Sequence, residues 1–247
     1  MGILAKLPAE KLLAMQVGSF GCLLDAEDIT AIIKATDSLW IYPGEFRAEA
    51  PHAKLTAGNC STGFVNLRVA MSMPNLCDIL AAQLVMRLRH IYFGQVDFVI
   101  GSDTASLYLA YAMARLLGAR SYPMHKVSVR EADKDVEKQT YTGPKVAPGS
   151  KVLRVEELMT TAKTFRLVTA GFVEANPGVD FIPFLPLIVD RRAVVDVDEV
   201  DGASVLALVR YDIKTWKPEE CPLCALGSKA VRPNTPEGWA ELTQATA

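Results

Sequence analysis

The sequence has little of what marks a membrane, secreted or nucleic-acid-binding protein. No apolar run approaches the roughly 20 residues that a bilayer-spanning helix needs. The longest, residues 181–189, is broken by Pro183 and Pro186. The opening MGILAKLPAEKLLAMQ has no basic flank followed by an apolar core and a small-residue cleavage site, so no export leader is expected. Lys6 stands where a myristoylation motif needs Ser or Thr. Excess charge of one sign is missing too. Lys and Arg number 26 against 28 Asp and Glu, for a net charge of −2. That balance argues against a protein built to grip nucleic acid or anionic lipid. Cysteine is scarce and odd in number, at five. Free thiols in a reducing cytoplasm are the simplest expectation. Repeats and low-complexity tracts are absent.

What is present is a chain of 247 residues, half of them hydrophobic. That suffices for one α/β domain with a proper core. Residues 25–38 (DAEDITAIIKATDS) have apolar residues at helical spacing and acids in the first turn. Residues 42–63 read as loop with short strand pieces. Residues 73–93 form the longest helical pattern, with Pro74 near its start, where a missing N–H is harmless. From residue 96 the pattern changes. Strands are expected at 96–101, 121–129, 151–155, 184–190 and 204–213, and helices at 105–117 and 160–175. Ser102, Asp103 and Thr104 offer caps to the first of these helices, and threonines open the second. Gly118 suits the end of the first. Alternating strand and helix predicts a mainly parallel central sheet flanked by helices. One domain over 1–247 is expected, with N-terminal helices and a hood at 1–72, the core sheet at 96–213 and a tail at 214–247.

Between residues 129 and 151 the alternation fails. Residues 130–138 (READKDVEK) carry seven charges in nine positions, and a Gly- and Pro-rich stretch follows. A solvated hairpin or loop and a functional loop are both open readings.

Residues 151–164, KVLRVEELMTTAKT, carry the most chemistry. An apolar strand leads to Glu156 and Glu157. After two hydrophobic residues come Thr160, Thr161, Ala162, Lys163 and Thr164 at a helix start. Acids at a strand's carboxyl end sit where open α/β sheets bind ligands, and they accept hydrogen bonds from sugar hydroxyls. Free amides at a helix N-terminus favour a phosphate. A ribose 5-phosphate cradle is one reading; an ordinary capped helix with solvated acids is the other.

In this segment Glu156, Glu157, Thr160, Thr161, Lys163 and Thr164 fall in register on the phosphoribosyl pyrophosphate (PRPP) motif of type I phosphoribosyltransferases, which the sequence resembles. The second acid is usually Asp, and Ala162 stands where the motif has Gly. VDFVIGSDTASLYLAYAMARLLGAR is similar to the first strand, pyrophosphate loop and helix of the orotate phosphoribosyltransferase branch, with Gly101 opening the loop and Ser106 in place of a second Gly. AKLTAGNCSTGFVNL resembles that branch's base-binding segment. Ala57 and Gly58 match, Phe64 falls on the first aromatic, and Thr56 and Val65 depart. LIVDRR resembles the strand whose Arg contacts the base, here Arg191. PEECPLCALGSKAVRP, residues 218–233, resembles the Cys-Pro-Leu-Cys tail of a bacterial subgroup of this family.

The resemblance implies transfer of phosphoribosyl from PRPP to orotate with Mg²⁺, giving orotidine monophosphate and pyrophosphate. Glu156 and Glu157 would hold the ribose hydroxyls, and Thr160, Thr161, Ala162, Lys163 and Thr164 the 5-phosphate. Gly101, Ser102, Asp103, Thr104 and Ala105, with Arg130 and Lys134 from the charged loop, would hold pyrophosphate. Lys126 is a further candidate there. Phe64 and Arg191 would bind the base. No residue is expected to ligate the metal directly. A cytoplasmic homodimer is implied, without nucleic acid or membrane as partner. In the loop, Glu131 and Val136 stand where the family has basic and His residues. Two alternatives therefore stay open: transfer to another nucleobase, and a PRPP- or nucleotide-binding regulatory protein without turnover.

The pair Cys221-Pro-Leu-Cys224 could be half of a zinc site or a redox pair. Cys22, Cys60 and Cys77 show no second CxxC, and His52, His90 and His125 show no metal-ligand spacing. The pair reads as a structural turn, and Trp216 and Trp239 as packing anchors.

Overall fold

The computed structural model describes residues 2–19, 21–131, 134–192 and 198–244. Helix α1 (Ala9–Leu13) packs on α2 (Ala26–Ala35). The Asp25 carboxylate caps α2 by accepting the Asp28 amide at 2.9 Å, satisfying one orphan donor. Ile29, Ile32 and Ile33 form its buried face. Four short strands follow: β1 (Leu39–Ile41), β2 (His52–Lys54), β3 (Cys60–Ser61) and β4 (Gly63–Val65). β1 pairs antiparallel with β4, and β2 with β3. Helices α3 (Arg68–Ser72) and α4 (Pro74–Arg89) lead into the core. Pro74 is the first residue of α4, as its missing amide allows.

β5 (Phe98–Gly101) runs into α5 (Ala105–Leu117), and Gly118, at φ +69°, closes that helix. β6 (Arg120–Ser121) is a short edge strand. β7 (Met124–Glu131) and β8 (Lys134–Tyr141) then pair with each other, away from the main sheet. β9 (Lys151–Met159) returns to the centre, followed by α6 (Lys163–Ala175), β10 (Asp180–Phe181), β11 (Phe184–Asp190), β12 (Glu199–Val200) and β13 (Ala203–Arg210). Among the described residues the sheet order is β12-β13-β11-β9-β5-β6, with β10 beside β9. Every pairing in it is parallel except β12 with β13. The fold is therefore α/β, with a mainly parallel sheet between helices. Leu80, Leu84 and Leu88 of α4 and Leu109 and Met113 of α5 pack with Val99, Leu153 and Val189. Val168 and Phe172 of α6 pack with Ile100 and Val152 in a separate cluster. No helix among the described residues is long and apolar enough to cross a membrane.

The last stretch contains β14 (Thr215–Trp216), α7 (Pro222–Ala225), β15 (Ala230–Val231) and α8 (Pro236–Gln244). It does not trail away. β14 and β15 extend the hood pair into a sheet ordered β14-β3-β2-β15. The Trp40 indole donates to the Leu242 carbonyl at 3.1 Å, and Phe64 packs edge-on against Trp239. Two-residue strands are not stable in isolation, so each needs the others to bury its ladder.

Several sequence expectations shift. The expected strand 121–129 splits between β6 and the hairpin, and of the readings left open beyond residue 129 the structure shows the hairpin, with β7 reaching Glu131 and β8 spanning Lys134–Tyr141. Gln139 and Tyr141, two apart on β8, are buried, so the end of this strand has one covered face. β9 continues past residue 155 to Met159, so Glu156 and Glu157 lie inside a strand and not after it. Helix α6 opens at Lys163, and the threonines at 160 and 161 precede it. No side chain caps α5: Thr104 sits at its N-cap with φ +76°, and the Ser102 hydroxyl turns elsewhere.

Candidate active site

The carboxyl ends of β5 and β9 lie side by side, with Gly101 opposite Val155. Gly101 leaves no room for a side chain there, since a Cβ would stand 2.5 Å from the Ser106 carbonyl oxygen. The chain therefore folds tightly back, and α5 delivers Ser106 to the acids of β9. The Ser106 hydroxyl donates to Glu156 Oε2 at 2.9 Å, and Ser102 Oγ donates to the same oxygen at 3.0 Å. Ser106 Oγ also accepts the Glu157 amide at 3.1 Å and touches Glu157 Oε2. Glu156 is buried, and its Oε1 has no hydrogen-bond partner. Burial, reinforced by the Glu157 charge, pushes the Glu156 carboxyl up to about 8. Burial also raises Glu157, against the hydrogen bond from Ser106 and the positive charge of Arg68.

Ser106 by contact and Arg68 by its charge thus act on the acid pair, and sequence spacing marked neither. Ser106 looked like a departure from a glycine, and Arg68 sits in the hood segment, remote in sequence.

Past Met159 the chain turns. Thr160 and Thr161 are exposed, and Ala162 takes a left-handed conformation at φ +59° as the N-cap of α6. That conformation favours Gly, which explains the residue type usual in the motif. No side chain caps α6, so its first amides are open to a ligand.

The hairpin stands on the α6 side of the site. At Gly171 a Cβ would be 1.7 Å from the Gln139 carbonyl oxygen, so β8 lies directly on α6. Tyr141 packs on Phe172 with ring centroids 4.9 Å apart. The base of the hairpin is fixed, while Arg130, Lys134 and Asp135 toward its far end are exposed. Its cations are matched. Lys126 Nζ lies 3.2 Å from Glu137 Oε1, and Lys163 Nζ of α6 lies 3.6 Å from Glu137 Oε2. Lys126 leads in holding the Glu137 carboxyl below its ordinary range. Arg130 pairs with Asp135 at 3.4 Å. Lys126 and Lys163 thus meet at one acid, while Arg130 and Lys134 lie at the tip.

Arg191 follows β11 and donates its amide to Met159 O at 3.0 Å, beside the end of β9. Its Nη2 donates to Thr215 Oγ1 at 3.3 Å, while its Nε is buried without a partner. Phe64 is half-buried in the hood, against Trp239.

No family model matches the chain. It is 31% identical over 185 residues to the orotate phosphoribosyltransferase of Caldicellulosiruptor bescii, covering 74% of this chain and 88% of that protein. The chain belongs to the orotate phosphoribosyltransferase family. A second member, from Heliobacterium modesticaldum, is 29% identical over 74% of this chain and 89% of its own length. The solved orotate phosphoribosyltransferase of Aeropyrum pernix matches with a TM-score of 0.51 at 15% identity, over 74% of this chain and 93% of that one. That match speaks for a common fold.

The geometry gathers a cluster that sequence spacing does not show. His52 and Cys60, remote from the CxxC pair in sequence, lie against it in the structure. The ligand atoms of His52, Cys60, Cys221 and Cys224 all fall within 4.8 Å of one another. His90, by contrast, is exposed at the end of α4. Trp216 and Trp239 pack on the hood cluster, as expected.

Proposed function

We propose that this chain transfers the phosphoribosyl group of PRPP to orotate, forming orotidine monophosphate and releasing pyrophosphate. The observation that carries the reading is one strand–turn–helix unit. It joins the acid pair of β9, buried Glu156 and half-buried Glu157, through the left-handed turn at Ala162, to the uncapped start of α6. A sugar diol and its 5-phosphate need such acceptors and donors side by side.

In this reading the open amides of α6, with Thr160, Thr161, Lys163 and Thr164, bind the 5-phosphate. Glu157 and the unpartnered Glu156 Oε1 bond the ribose hydroxyls, and the ionised carboxylate of the pair stabilises positive charge as it develops on the ring. The 101–105 loop, with Arg130, Lys134 and Lys126 of the hairpin, holds pyrophosphate. The unpartnered Arg191 Nε receives the carboxylate of orotate, and Phe64 covers the base. Catalysis then rests on positioning and charge. The donors around the acid pair are oxygens, with Asp103 the exposed carboxylate of the loop. That set suits Mg²⁺, which keeps several waters and is carried largely by substrate phosphates. Asp103 would hold it through water, and the ion would supply charge for the leaving oxygens. A cytoplasmic homodimer belongs to the proposal. Pairing of two copies is supported by the outer face of α5, where Tyr108 and Tyr111 are 51% and 67% exposed.

Orotate absorbance, followed with PRPP and Mg²⁺, tests the reading. Saturable loss with stoichiometric pyrophosphate supports it. Turnover only with another base reassigns the pocket. PRPP binding without turnover on any base makes the chain a binding protein, a reading favoured by the Glu137 ion pairs. No binding of PRPP or of a nucleoside monophosphate overturns the site.

A further inference from the structure

The hood holds a side-chain cluster that the transfer reaction does not use. β2 brings His52 and β3 brings Cys60 onto one antiparallel pair. The turn into α7 places Cys221 and Cys224 above them. Cys60 Sγ lies 3.6 Å from Cys224 Sγ, and His52 Nε2 lies 3.5 Å from Cys224 Sγ and 3.8 Å from Cys221 Sγ. In a zinc tetrahedron with Zn–S of about 2.3 Å and Zn–N of about 2.0–2.1 Å, the S···S and S···N edges come to ~3.8 and ~3.6 Å. The observed separations match those edges. They are too long for a disulfide, and all these cysteines are free.

The tautomer also fits. The Ser228 hydroxyl donates to Ala50 O at 2.7 Å, which uses its one proton. At 2.8 Å from His52 Nδ1, its oxygen must accept the Nδ1–H. Nε2 therefore bears the lone pair, and it is Nε2 that faces the sulfurs. A ring N–H fixed by a second partner is the usual companion of a ligating His. His52, Cys60 and Cys221 are buried. Gly227, at φ +86°, turns the chain after Cys224 and brings Ser228 back to His52.

We propose that His52, Cys60, Cys221 and Cys224 bind one structural Zn²⁺. Four protein ligands close the tetrahedron and leave no open position for substrate, which sets this site apart from a catalytic one. Binding replaces three thiol protons with three Zn–S bonds, releases those protons to solvent, and adds one bond from neutral His52. The ion ties segments more than 160 residues apart, so it clamps the C-terminal strands and α8 onto the hood sheet. Phe64 rests on α8 through Trp239, so the clamp also steadies one wall of the proposed base pocket. The zinc proposal itself does not depend on the reading of that pocket.

Metal analysis of the full-length protein, purified without chelator, tests this directly. A single zinc per chain is expected, and it should be lost in Cys221→Ser and Cys224→Ser. His52→Cys keeps four zinc-compatible ligands and should retain the ion, which guards against a variant that merely misfolds. Replacing zinc by Co²⁺ should give tetrahedral visible absorption and a sulfur-to-metal charge-transfer band. Ser228→Ala should weaken zinc binding about 10–100-fold. Denatured protein with chelator should show all five thiols. No zinc after exposure to the ion, iron in its place, unchanged zinc in Cys221→Ser, or two thiols missing to a disulfide would each overturn the proposal.

Discussion

The hydroxyl of Ser106 donates to Glu156 Oε2 at 2.9 Å, joining the first turn of α5 to the acid pair of β9. This bond explains why a serine is tolerated where the family motif has glycine: its hydroxyl is consumed by a buried carboxyl. Ser106→Ala removes a donor and leaves Glu156 less well satisfied, at a cost of about 1–3 kcal/mol in urea unfolding. An unchanged midpoint would show that the contact contributes nothing.

Stability should depend on pH through Glu156. The folded protein holds this proton more tightly than the unfolded chain does, because the carboxyl rises from 4.5 to about 8 on burial. Between those values the native state binds more protons, so stability is greatest below the window and falls as pH rises through it. Glu157, also raised, adds in the same direction. Glu156→Gln should flatten the slope of unfolding free energy against pH. A slope as steep as in the parent would assign the effect to other groups.

Glu137 holds Lys126 and Lys163 on one carboxylate, at 3.2 and 3.6 Å. Glu137→Gln releases both cations toward phosphate. The KM for PRPP should fall several-fold, while unfolding free energy changes by less than about 1 kcal/mol, since the pairs are solvent-exposed. A KM that rises would mean that the ion pairs position the hairpin instead.

Ala162 has a left-handed backbone at φ +59°. Ala162→Gly removes strain of about 1 kcal/mol but also a buried methyl, so stability should change little while PRPP binds more tightly in calorimetry. Ala162→Val places a β-branched side chain where such a conformation is a true outlier, and it should abolish PRPP binding.

Arg191 offers a buried Nε without a partner. Arg191→Lys keeps the charge and loses the planar fork that pairs with a carboxylate. Its KM for orotate should rise ~10-fold or more, a loss of about 1.4 kcal/mol, with the KM for PRPP unchanged. Parallel rises in both would place Arg191 elsewhere in the mechanism.

Much of the core was legible because its elements repeat local rules. The helix over 105–117 and the strand over 184–190 have the bounds that periodicity predicts, and Gly118 ends its helix as expected. The β9–α6 motif could be read because strand, acids and helix start are contiguous. Its boundaries were less legible. A strand that enters a ligand turn keeps hydrogen-bonding as long as its neighbour does, and β11 pairs with β9 out to Met159.

By itself the sequence determined the α/β class, the acid pair and the threonine turn, because backbone periodicity and contiguous residues carry that information. Only the tertiary structure decided the rest. Ser106 meets Glu156 across 50 residues, Glu137 joins two lysines from different elements, and His52 and Cys60 meet Cys221 and Cys224. Each partner comes from a different element, so no spacing along the chain can encode the encounter. Sheet order and hood closure set those distances, and they turn a CxxC that reads as a turn into half of a four-ligand cluster.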